Sequence, residues 1–162
     1  MNFLLRPAEK CDLDAVMQIY EAAKHYDGCV WDEEYPNREI MMSDFENGGL
    51  YVYVLDKRII GVISAMIDSD LEKFNCWKVQ NGSQISFARV AIVEDLLNRG
   101  YGRQMVEDLL KILKEKGHES VQILVSPHNI AAMKIYRRLN FDFYFIERVH
   151  GEEFYLCEKI LK

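Results

Sequence analysis

Apolar residues return at two different periods along this chain, and their alternation gives an order of elements. "FLLR" reads as a short strand ended by Pro7. Leu13, Val16, Met17 and Tyr20 then recur at helical spacing, with Asp12 placed to cap that helix. Gly28 and Pro36 break the pattern, so "YDGCVWDEEYPNRE" reads as a loop. A second helix is expected from Asn37 to Asn47, stopped by Gly48 and Gly49. "LYVYVLD" and "RIIGVISAMI" read as strands joined by a tight turn at Asp56 and Lys57. A loop holding Trp77 and Gly82 leads to a long strand, "QISFARVAIV".

The strongest helical pattern follows. Met105, Leu109 and Ile112 interleave with Val106, Leu110 and Leu113 in one apolar stripe. Glu107, Lys111 and Glu115 are spaced for charge pairs on the wet side, and Gly117 reads as the stop. "SVQILVS" is a strand, Ile130 to Leu139 a helix, and Asn140 a left-handed cap. "FDFYFIERV" and "EEFYLCEKI" close the chain as a hairpin around His150 and Gly151. The order β-α-α-β-β-β-α-β-α-β-β predicts a mixed sheet with helices packed on it.

Length and composition narrow the class. At 162 residues and 49% hydrophobic, the chain suits one domain, 1–162, with enough apolar surface for a core. The net charge of -6 argues against general nucleic-acid binding, which needs a basic face. Cys11, Cys29, Cys76 and Cys157 form no CxxC pair and no zinc spacing, so a metal is not expected. They read as reduced thiols of a cytoplasmic protein. The apolar patch in "MNFLLRPAEK" is too short for a signal segment or a membrane span.

The stretch "LLNRGYGRQM" stands apart from this acidic background. Gly100 and Gly102 let backbone N–H groups converge, a helix begins at their end, and Arg99 and Arg103 add charge. That is the composition of a phosphate site. A Walker loop would need Lys-Ser/Thr after Gly102, where Arg103-Gln104 stands. A Rossmann loop would need a small residue at Met105 and an acidic residue about 20 positions on, and "VQILVS" offers none. The pyrophosphate of an acyl-CoA is the third candidate; a plain strand-to-helix turn is the bland one.

Two motifs decide between them. "RVAIVEDLLNRGYGRQMVEDLL" resembles the strand, Q/R-x-x-G-x-G/A loop and helix of the GCN5-related N-acetyltransferase (GNAT) family. "SPHNIAAMKIYRRLNF" resembles that family's later N-x-x-A-x-x-x-Y-x-x-x-G-F motif, through Asn129, Ala132, Tyr136, Asn140 and Phe141. They stand in the family's order with one strand between them, and the elements follow the family's order over nearly the whole chain. The resemblance departs at three positions. Leu97 stands where the loop starts with Gln or Arg, and Asn140 replaces glycine. Leu124 holds the position of a glutamate base in a relative that acetylates ribosomal-protein N-termini.

The resemblance implies an α/β (α+β) fold with a mostly antiparallel central sheet and helices on both faces. It implies direct transfer of an acetyl group from acetyl-CoA to a small-molecule or peptide amine, with no nucleic acid or membrane as partner; a homodimer is compatible with it. Tyr136 would be the acid. A phenol with a reference pKa of ~10 is protonated at neutral pH and can donate to the leaving sulfur. By spacing alone it is one residue of a core stripe with Ala132 and Leu139. Backbone groups of Val90, Ala91 and Ile92 would hold the pantetheine and the acetyl carbonyl. Asn98, Arg99, Gly100, Tyr101, Gly102 and Arg103 would cradle the pyrophosphate, and Asn129 would bond the pantetheine or cap its helix. Lys134, Arg137 and Arg138 make a basic patch that reads as a solvated helix face. Trp31, Asp32, Glu33, Glu34 and Tyr35 fall in the family's acceptor loop, where acidic groups, Asp27 among them, attract a cation. His25, Glu33, Glu34, His128 or an ordered water are candidates for the base. A non-catalytic acyl-CoA sensing module is the alternative, favoured by Leu124.

Overall fold

The computed structural model describes residues 1–162. Its elements are β1 (Phe3–Pro7), α1 (Leu13–Ala23), α2 (Arg38–Glu46), β2 (Leu50–Leu55), β3 (Arg58–Met66), β4 (Gln84–Ile92), α3 (Tyr101–Glu115), β5 (Ser120–Val125), α4 (Ile130–Arg138), β6 (Asp142–Val149) and β7 (Glu152–Ile160). Short 3-10 turns precede α1, follow β3 and follow β4. The order matches the one the hydrophobic periods predict.

The strands form one seven-stranded sheet in the order β1-β2-β3-β4-β5-β7-β6. Every neighbouring pair is antiparallel except β4 and β5. Those two meet only at Gln84–Ser120 and Ile85–Val121. Beyond Ile85, β4 stays with β3 and β5 stays with β7, so a wedge opens in the middle of the sheet.

Each face of the sheet is covered. α3 and α4 bury Met105, Leu109, Leu113 and Tyr136 against Tyr53, Ile63, Phe87, Val121 and Ile123. On the other face α1 and α2 bury Val16, Ile19, Tyr20 and Met41 against Leu50, Val52, Val62 and Ala91. The wide apolar stripe of α3 is thereby removed from water, which is the main stabilising contribution of that helix. No helix is long and apolar enough to cross a membrane.

The turns follow their residues. Asp56 and Lys57 both take positive φ, as do His150 and Gly151, the geometry of tight two-residue hairpins. Asn140 takes φ +64, and the N–H of Phe141 bonds Tyr136 O at 3.0 Å, closing α4 as a glycine would. Two local expectations are corrected. Asp12 does not cap α1 with its side chain; its carboxylate accepts from Glu9 N–H and from both terminal nitrogens of Arg6. Glu107 lies 3.6 Å from Arg103, one turn back, rather than pairing with Lys111.

The β3–β4 connection lies over the far strands, with Trp77 and Leu71 packed on Leu156. It is pinned by Glu158, a fully buried carboxylate on β7. Glu158 accepts from Ser120 Oγ, Gln122 Nε2, the Tyr144 hydroxyl and the N–H groups of Lys78 and Val79. Burial pushes this carboxyl up, but those donors together outweigh it and hold it below the usual glutamate value. Its contribution to stability is therefore present above the glutamate range and lost as pH falls through it. Glu158→Gln is expected to cost about 2–3 kcal/mol in urea unfolding at pH 7, because the amide turns a donor toward donors. The difference from wild type should shrink as the pH is lowered past the glutamate range.

Candidate active site

The wedge collects residues from four parts of the chain. Its β4 wall ends in Val90, Ala91 and Ile92. Ala91 and Ile92 are buried and Val90 is half-buried. β4 carries a bulge here: Val62 pairs with Ala91 and Ser64 with Ala88, so Arg89 and Val90 together oppose Ile63. Bulges of this kind re-aim backbone groups beside functional sites.

Below the wedge the chain turns from β4 into α3. Leu96 and Leu97 are partly buried against the core under α3, which anchors the loop and accounts for an apolar residue at position 97. Arg58 holds Asp95 with two bonds of 2.8 and 2.9 Å from the side. Asn98 and Gly100 then take positive φ, +61 and +85, and α3 begins at Tyr101. None of the N–H groups from Asn98 to Arg103 donates within the chain; the first to do so is Gln104, to Gly100 O. Consecutive free N–H groups at a helix N-terminus are an anion-binding nest. A Cβ at Gly100 would meet nothing within 4 Å, so this side of the nest is open. Arg99 is exposed, and Arg103 is half-buried beside Glu107.

On the opposite wall, β5 leads through Ser126 into α4. Asn129 caps that helix, its Oδ1 accepting from Ala132 N–H at 3.1 Å, which leaves its amide NH2 free. Tyr136, seven residues on, is 6% exposed, and its ring packs against Phe87 and Phe141. Its hydroxyl makes no hydrogen bond in the chain. Burial pushes this phenol well above its ordinary pKa.

The loop between α1 and α2 closes the remaining side. A Cβ on Gly28 would sit 2.6 Å from His128 O, so only glycine lets this loop rest on the β5–α4 turn. Tyr26 donates to Ile92 O at 2.7 Å, fastening the loop to the end of β4. Trp31 stands edge-on between Tyr20 and Tyr35, with ring centroids 5.8 and 6.4 Å away. Asp32, Glu33 and Glu34 are exposed on the same loop, and Asp32 accepts from Glu34 N–H.

The structure thus brings Val90–Ile92, the loop from Asn98 to Arg103, Asn129 and Tyr136 around one wedge. It does not put a base there. His25, His128, Glu33 and Glu34 are all exposed, and Leu124 is packed with the cluster of Trp77 and Leu156. Lys134, Arg137 and Arg138 are exposed, and Arg137 lies over the Phe143 ring.

Sequence reasoning passed over Arg89, Asp44 and Tyr26. Arg89 Nε and Nη2 bond Asp44 at 2.7 and 2.8 Å, Nη1 bonds the Tyr35 hydroxyl at 2.9 Å, and Ser64 Oγ donates to Asp44 at 2.7 Å. A lone cation inside the apolar run "QISFARVAIV" was the available signal.

The acetyltransferase (GNAT) family profile matches residues 13–141. The sequence matches no curated protein. Among solved structures, a GNAT-family acetyltransferase of Streptococcus agalactiae superposes with a TM-score of 0.84 at 18% identity, over 98% of this chain and 95% of that one. The ribosomal-protein-S18-alanine N-acetyltransferase of Escherichia coli superposes with a TM-score of 0.75 at 16% identity, over 99% and 94%. The Salmonella typhimurium protein yncA, solved with its cofactor acetyl-CoA, gives 0.74 at 16% identity, over 100% and 95%. Those likenesses show the fold; with the profile spanning both motifs, the chain belongs to the GNAT family of acetyltransferases.

Proposed function

We propose that residues 1–162 form one N-acetyltransferase domain that moves an acetyl group from acetyl-CoA directly to a primary amine of a small molecule or peptide. The observation that carries this reading is the free N–H run at Asn98–Arg103, which lies beside the end of β4 and beside α4, the helix that carries Tyr136. The nest suits a pyrophosphate, because its backbone donors need no net positive charge on the protein. The edge of β4 from Val90 to Ile92 and the free amide of Asn129 suit the pantetheine arm. Ile92 O already accepts from Tyr26, so its remaining lone pair is the one available.

In this reading the acceptor nitrogen attacks the thioester carbonyl carbon, the C–S bond breaks, and Tyr136 gives its proton to the departing sulfur. N–H groups at the bulge hold the carbonyl oxygen where negative charge develops. The proton lost by the amine leaves through ordered water to the surface carboxylates, since the candidates His25, His128, Glu33 and Glu34 are all exposed and the carboxylate of Asp44 is taken up by Arg89 and Ser64. Asp27, Asp32, Glu33 and Glu34 draw a cationic amine toward Trp31 and Tyr35. The four cysteines are all free, in keeping with a cytoplasmic setting.

A thiol-release assay against amines, polyamines, amino acids and peptide N-termini tests the proposal. Release of CoA with at least one cationic acceptor is expected, and its kcat/KM should fall as salt is raised. Tight acetyl-CoA binding with no thiol release across the whole panel would support the sensing module instead.

A further inference from the structure

Arg89 sits in the wedge wall with no part in the chemistry above. It occupies the β4 bulge at φ +54. A side chain in that region costs about 1–2 kcal/mol, and such residues persist where the surroundings over-determine them. The bulge backbone gives no reason for an arginine there. The side chain does.

Its guanidinium grips Asp44 with two parallel bonds, a geometry that fixes orientation as well as charge. Both side chains are sheltered, at 12% and 9% exposure. Asp44 belongs to α2 and is steadied from β3 by Ser64 Oγ. The remaining arm of Arg89 reaches Tyr35 on the acceptor loop. Sheltered ion pairs add little net stability compared with apolar packing of the same volume, so stability is a poor reason for this one. It does tie three elements to the two residues whose backbone bends β4.

We infer that the Asp44–Arg89 clasp sets the β4 bulge so that the N–H groups beside it converge on the acetyl carbonyl, making both side chains positioning residues for the transfer. This rests on the reading that those N–H groups hold the acetyl group. Tyr35 connects the clasp to the acceptor loop, so the amine side and the acetyl side of the wedge share one rigid joint. The clasp discriminates between acetyl-CoA, which has the carbonyl, and CoA, which lacks it.

The test uses three variants. Asp44→Asn removes the charge, Arg89→Lys keeps charge but loses the fork, and Ser64→Ala removes only the third bond on Asp44. In each folded variant, CoA affinity by calorimetry should match wild type while acetyl-CoA affinity falls toward that of CoA. For Asp44→Asn and Arg89→Lys, kcat should fall by up to about a hundredfold, the scale of a reacting group misplaced by about an ångström. Ser64→Ala should fall less, and it keeps the test alive if the charge variants do not fold. Equal losses for both ligands, or an unchanged kcat, would overturn the proposal. Amide resonances of Val90 and Ala91 are read in ligand-free protein. They should move in every folded variant, and the clasp is refuted if they stay in place. That arm needs no CoA, so failure of the clasp is distinguishable from failure of acetyl-CoA to bind the wild type.

Discussion

Tyr136→Phe is expected to lower kcat about a hundredfold or more, the usual scale of a lost general acid, with acetyl-CoA binding by calorimetry unchanged. The ring contacts with Phe87 and Phe141 survive the substitution, and no intramolecular hydrogen bond is lost because the hydroxyl makes none. The melting temperature should therefore stay close to wild type. An ordinary core tyrosine would give the opposite result, a small change in stability and none in turnover. Burial raises this phenol above its ordinary value of ~10, so it is protonated throughout the neutral range. It can then donate to sulfur but cannot act as base at neutral pH. The sign for stability follows: the neutral, buried phenol contributes below the unfolded value and that contribution is lost as pH rises through and beyond it. Loss of rate on the acid side of the pH profile must come from the acceptor amine or its proton path. Tyr136→Phe should leave that acid limb in place while lowering its plateau.

The fold was legible because its elements are long and strongly patterned. The stripe of Met105 to Leu113 can only be a helix, and strands rich in Val, Ile and Tyr with tight turns at Asp56-Lys57 and His150-Gly151 leave little choice of pairing. The turn from Asn98 to Arg103 into α3 was legible because glycines and a helix start are local features. What escaped is non-local. Asp44 and Arg89 are 45 residues apart and meet only because β3, β4 and α2 come together. Within a helix, Asp44 reads as one more wet-side acid. Tyr26 reads as a loop aromatic until the fold places its hydroxyl on Ile92 O. Asp12 misled for the opposite reason: its local cap pattern was sound, but Arg6 and Glu9 offered its carboxylate better donors. No side-chain base is brought to the wedge: His25, His128, Glu33 and Glu34 lie on the surface, and half-buried position 124, where the resemblance would put one, carries leucine.

Gly102→Asp should weaken acetyl-CoA binding by about two to three orders of magnitude while leaving the protein at least as stable. Gly102 lies in the first turn of α3, where a carboxylate interacts favourably with the helix dipole. A Cβ there would lie 3.4 Å from Ile135 Cδ1 and 3.7 Å from Ile92 Cγ1, a snug but tolerable fit against flexible side-chain ends. The folded state thus has no reason to suffer. The ligand does. A side chain at this position blocks close approach to the free N–H groups, and losing one charge-assisted bond costs about 1.5–3 kcal/mol. The new charge repels the pyrophosphate by about another 1 kcal/mol at a partly solvated site. Together these give the predicted loss, at 1.4 kcal/mol for each factor of ten. Calorimetry with acetyl-CoA and with CoA should show equal losses, since both carry the pyrophosphate. That equality separates the nest from the bulge, where only the acetylated ligand should respond. A variant that melts earlier and binds normally would mean that Gly102 serves helix packing and that the anion sits elsewhere. A variant that melts later and no longer binds would fix the pyrophosphate on the N–H groups of Asn98 to Arg103.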